Sequence, residues 1–88
     1  MATILDSAKC SKIKDIRRKI DSLELDGWLC EGTDQPGYPA NVFFNNDLNE
    51  SFIADYNGQI LSSSVTDMNW KLRELARLTG QISRICYG

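Results

Sequence analysis

The sequence predicts an α+β fold, a two-layer sandwich in which an N-terminal helix, an antiparallel three- or four-stranded meander and a C-terminal helix follow one another. Three observations carry this. Apolar residues recur every three or four positions near both ends, which is the helical period. Between residues 28 and 62 they fall instead in short blocks or alternate, which is the strand period. Clusters of turn formers, among them Gly32, Pro36 and Gly37 and then Asn57 and Gly58, punctuate that middle. At 88 residues, 42% apolar and 25% charged, the chain is expected to form one domain over residues 1–88.

The first helix is capped by Asp6 or Ser7, whose side-chain oxygen can accept an orphan N–H of the first turn. Ile13, Ile16, Ile20 and Leu23 form its apolar stripe, with Lys12, Lys14, Arg18 and Lys19 placed opposite. Gly27 is the expected stop. Trp28-Leu29-Cys30 is a first short strand and Ala40–Phe44 a second. Ser51–Tyr56 is a third, with Phe52, Ala54 and Tyr56 on one face. Asn57-Gly58 then suits a type I′ turn, with Gln59–Ser62 as the return strand. Ser64 or Thr66 caps the last helix. Its stripe runs through Met68, Leu72, Leu75, Leu78 or Thr79, Ile82 and Cys86. Gly80 is the weak point of that helix, costing about 1 kcal/mol against alanine, and a continuing or restarted helix is expected past it.

Composition excludes several functions. Histidine is absent, which removes the imidazole base and the commonest metal ligand. No apolar run approaches the roughly 20 residues of a membrane span. Met1–Lys9 has no basic stretch leading into an apolar core, so no secretory signal is expected and a cytoplasmic location is. Cys10, Cys30 and Cys86 are odd in number and widely spaced, so they read as reduced, mostly buried thiols. A Cys30–Cys86 bridge or a reactive thiol is the alternative. No phosphate-cradling glycine loop, zinc-protease motif or paired C-x-x-C is present, and no catalytic constellation, metal site or cofactor is expected.

Charge is segregated along the chain. Residues 1–19 carry six basic and two acidic side chains, and residues 70–88 carry four and one. Residues 20–69 hold nine carboxylates and no Lys or Arg. A net charge of −2 therefore conceals basic helices and an acidic middle. Glu31, Asp34, Asp47, Glu50 and Asp55 are the candidate partner-binding carboxylates. Tyr38 and Trp70 are candidate aromatic contacts, Trp70 because it points away from the stripe of its own helix. Lys12, Lys14, Arg18 and Lys19 are candidate phosphate contacts.

The α-β-β-β-α order is similar to that of double-stranded RNA-binding domains, but the resemblance ends there. Those domains place a lysine cluster at the start of the last helix and a histidine in a strand loop. This chain has Thr66-Asp67-Met68-Asn69-Trp70-Lys71 at the one place and no histidine for the other. In size, acidity and lack of histidine the chain also resembles compact inhibitors that phages and mobile elements direct at bacterial machinery, anti-CRISPR proteins included. That resemblance implies a small non-catalytic protein-binding module that occludes a surface on a larger protein or nucleoprotein complex. The alternative is a weak nucleic-acid-binding accessory protein using the basic face of the first helix. A homo-oligomer is a further expectation, since one molecule bears both signs of charge.

Overall fold

In a computed structural model, which describes residues 6–32 and 39–87, Asp6 caps the first helix as its side chain predicts. Its Oδ1 accepts the Lys9 N–H at 2.8 Å, and helix α1 (Ser7–Asp21) follows. The helix ends well before Gly27. The Ser22 hydroxyl donates to the Lys19 carbonyl at 2.6 Å, and Glu24 then turns to a left-handed φ of 54° that no helix can continue through. Gly27, at φ 79°, instead aims the chain into the sheet.

Four strands form one antiparallel sheet in the order of the chain: β1 (Trp28–Gly32), β2 (Ala40–Asn45), β3 (Glu50–Asp55) and β4 (Ile60–Ser63). The meander is therefore four-stranded. Phe43 and Phe52 are register partners, and their rings stack 4.7 Å apart. Trp28 tilts against Phe52 at 5.5 Å. These side chains and Ala54 mark the face turned toward the helices. Val42, Phe44 and Ile53 occupy the other face, half-buried, with Leu29 beside Phe44 at 53% exposure.

The β3–β4 hairpin lies where Asn57-Gly58 places it, but the turn differs. Asn57 does not adopt a positive φ, as a type I′ turn requires. The loop has three residues, Tyr56 to Gly58. The Gly58 N–H donates to the Asp55 carbonyl and the Asp55 N–H to the Gln59 carbonyl, both at 3.0 Å. Gly58, at φ 85°, completes the bulged turn. The Asp55 carboxylate selects this form, because its Oδ1 accepts the N–H groups of Asn57 and Gln59, each at 2.9 Å. Tyr56 accordingly belongs to the loop and not to the strand.

Helix α2 (Trp70–Tyr87) begins later than Ser64 or Thr66 would set it. Both residues are committed to β3: Ser64 exchanges backbone and hydroxyl bonds with Ser51, and the Thr66 N–H donates to Glu50 Oε2 at 2.9 Å. Asn69 caps instead, its Oδ1 accepting from Lys71 and Leu72 at 3.0 and 3.2 Å. The helix runs unbroken through Gly80.

Gly80 is there for space. A Cβ at this position would lie 2.2 Å from the Tyr56 carbonyl oxygen. One helical turn either way, Ala76 and Ser83 are also small and buried. Beneath Ser83, the Asn41 amide donates Nδ2 to the Ser83 hydroxyl at 3.0 Å. The single hydroxyl proton is left for Asn41 Oδ1 or the Thr79 carbonyl. Leu72, Leu75 and Leu78 fill the rest of the core with Phe43 and Phe52, and Ile16 and Leu23 close it from α1. Helix α1 packs mainly against α2. The smallest dimension, 19 Å, is that of a sheet carrying one layer of helices.

Gly80→Ala is expected to lower stability by about 1–3 kcal/mol even though alanine is the better helix former, because the backbone it meets has little freedom to move. Ser83→Ala is expected to cost about 1–3 kcal/mol by stranding the buried Asn41 amide. Urea unfolding followed by circular dichroism measures both. A Gly80→Ala chain as stable as the parent would refute the close-approach account.

Candidate functional site

The sheet's acidic candidates do not share one face. Glu31 lies on β1, on the face away from the helices. Asp55 sits at the β3–β4 turn, where it is occupied as a turn cap. Asp47 is exposed in the β2–β3 turn, and Glu50 begins β3 at that same end. Asp34 and Tyr38 lie outside the described residues.

What the fold gathers instead is a notch where three connections meet: α1 to β1, β2 to β3, and β4 to α2. Two adjoining hollows of about 270 and 320 Å³ share Leu25 and Trp28. Asp21, Glu24 and Asp26 rim the first, and Glu50 and Asp67 rim the second. Ile20, Leu48, Val65 and Leu72 extend the apolar lining, and Leu48 is 59% exposed. Asn45 holds the notch together. Its buried amide donates to the Asp26 carbonyl at 3.4 Å and accepts the Leu48 N–H at 3.1 Å, tying the α1–β1 turn to the β2–β3 turn. Nothing in the sequence marks Asn45 for this beyond its being a poor strand former. The Glu24 left-handed φ keeps a carboxylate on this rim at a position where glycine would be easier.

The four candidate cations of α1 also divide. Lys12 and Lys19 border the apolar stripe beside Ile16, while Lys14 and Arg18 are exposed outside the groove. Positions 12, 16 and 19 follow the spacing of one helix face, so the grouping of all four opposite the stripe does not hold. Arg84 joins Lys12 and Lys19 from α2, with Gln81 and Ile85, around a groove of about 450 Å³ between the helices. Sequence reading missed Arg84 because it lies far along the chain. Trp70 is 64% exposed at the start of α2, as its position off the stripe predicts.

The two charged regions do not neutralise one another. Among the described residues, each of the two ion pairs is internal to its own helix: Arg18–Asp15 in α1 at 3.7 Å and Arg77–Glu74 in α2 at 2.7 Å. The second is bidentate, and its hydrogen bonds hold the Glu74 carboxyl below its usual range.

The cysteines are all free thiols and correct the expectation of burial: Cys10 and Cys30 are exposed and Cys86 is half-buried. No Cys30–Cys86 bridge forms. Partial desolvation against the sheet, then the neighbouring Glu31 charge, push the Cys30 thiol up to about 11. Among the described residues no group of three Cys, Asp or Glu is placed to hold a metal ion, and no helix is long and apolar enough to cross a membrane.

Comparison with protein-family models, with curated proteins and with solved structures finds no match to this chain.

The Cys30 environment sets its reactivity, since only the thiolate attacks. Iodoacetamide at about pH 8 is expected to label Cys10 well before Cys30, with Cys30 labelling accelerating toward pH 11. Mass spectrometry of partly labelled chains reads this. Equal rates at about pH 8 would contradict it.

Proposed function

We propose that this chain is a non-catalytic protein-binding module whose docking surface is the acidic notch around Leu25 and Trp28, and that it acts by covering a basic surface of a larger protein or nucleoprotein complex. One observation carries the reading: an apolar floor ringed by five carboxylates, with neither internal ion pair reaching it. Apolar centres inside polar rims are the anatomy of protein interfaces. The floor supplies affinity through buried area, and the uncompensated rim supplies orientation and association rate. The net charge of only −2 favours recognition at one such site over imitation of a whole nucleic-acid surface. An inhibitor of the phage or mobile-element kind works in this manner, by occlusion without chemistry.

A nucleic-acid contact through α1 draws less support. Only Lys12 and Lys19 of the four expected cations converge, and they flank apolar Ile16 and Ile85. Three cations in all match about three phosphates, which gives weak, salt-sensitive binding.

The test is capture from a lysate of the source organism with the immobilised chain, with and without nuclease. A protein retained after nuclease is expected, and it should be lost when Leu48→Asp is combined with Glu24→Gly. Leu48 is exposed and glycine suits the Glu24 backbone, so the stability of this double variant should change by less than about 1 kcal/mol. Retention that vanishes with nuclease, or that survives both substitutions, would overturn the reading.

A further inference from the structure

The groove between α1 and α2 has no part in that reading, yet it is the counterpart of the notch in sign. Its walls carry Lys12, Lys19 and Arg84, and its floor is Ile16 and Ile85. The one carboxylate lining it, Asp15, lies 3.7 Å from Arg18, and Glu74 of α2, which feels the charge of Lys19, is held by Arg77. The first hollow of the notch presents Asp21, Glu24 and Asp26 around Leu25 and Trp28. Three cations, two from α1 and Arg84 from α2, thus stand over one apolar floor, and three carboxylates stand over another at the end of α1 and in the turn that follows it. Neither set is paired with the other within the molecule.

We propose that the groove of one copy receives the acidic rim of a second copy, so that the chain associates with itself head to tail. The contact is heterologous: groove meets notch, and each complex keeps a free groove at one end and a free notch at the other. Such contacts extend into filaments or close into rings according to the rotation between copies. The apolar floors bring burial to the contact, and the facing charges fix its direction. A phosphodiester backbone would satisfy the three cations but would bring no apolar surface to the part of Ile85 that stays exposed. An acidic apolar rim satisfies both, and this chain carries one. The inference uses the same notch as the proposed partner site, so partner and second copy compete for it. Its test needs no partner, and its failure leaves the capture experiment to stand or fall separately.

Sedimentation velocity of the purified full chain over a concentration series tests it, at about 0.02 M and about 0.5 M salt. Concentration-dependent association is expected at low salt, falling away at high salt. Lys12→Glu with Lys19→Glu makes the groove acidic, and Asp21→Lys with Asp26→Lys makes the rim basic. All four positions are exposed, so both chains should keep the parent circular dichroism spectrum. Each alone should associate at least about tenfold more weakly than the parent, and an equimolar mixture should recover association. Lys14→Glu with Arg17→Glu alters net charge as the groove variant does, but at exposed positions outside the groove, and should associate like the parent. A parent chain that stays monomeric at low salt would overturn the proposal. So would a mixture that fails to recover, or a Lys14/Arg17 variant as weak as the groove variant.

Discussion

The backbone of α2 at Gly80 lies against the carbonyl of Tyr56 with no room for a single added carbon, and the position of everything above the sheet follows from that contact. Gly58 repeats it from the other partner, since a Cβ there would fall 2.9 Å from Arg77 Cα. Ala76 and Ser83 extend the low-profile strip along the helix. The Asn41–Ser83 hydrogen bond then fixes the helix along the sheet, because a buried amide tolerates no slip away from its partner. With α2 so placed, Leu72, Leu75 and Leu78 meet Phe43 and Phe52, and α1 takes its own position from α2. Groove and notch are both by-products of this seating.

Much of the architecture is written in period and punctuation. Ile16 and Leu23 are buried on the stripe that their spacing defines, and Phe52 and Ala54 share an inner face as alternation requires. The hairpin sits at Asn57-Gly58. Three kinds of information were not readable. Competition between local chemistries was one: Asp55 pulled the turn into a three-residue loop, and Ser51 and Glu50 claimed the residues that looked like helix caps. Small residues were another. Ala76, Gly80 and Ser83 carry little hydrophobic signal, yet all three are buried and Gly80 seats the helix against the Tyr56 carbonyl, where by propensity alone it reads as a flaw. The third was the folding-back of the chain. A block of carboxylates along the sequence does not map to one side of a sheet, and Arg84 meets Lys12 and Lys19 only after the two ends of the chain are brought together.

Charge in this molecule is arranged by connection rather than by element. The carboxylates of the notch come from the segments that leave α1, enter β3 and enter α2, and they meet because Asn45 ties two of those connections together. The bidentate ion pair, Glu74–Arg77, is local and solvated, so it adds little to stability. Because the Glu74 pKa is lowered by its partner, that small contribution is present at neutral pH and is lost as pH falls through the carboxylate range.

The packing of α1 mainly against α2 makes the N-terminal rod the separable part of the structure. Hairpin and α2 are near neighbours in the chain and meet through backbone, so they close a small loop early at modest entropic cost. The first helix must return across the whole length of the chain to reach its seat. Fluctuations that lift it away would therefore show as faster amide exchange over residues 7–21 than over β2, β3 and α2. The groove and the first hollow of the notch both include side chains of that rod, so one such opening would erase the two of them together.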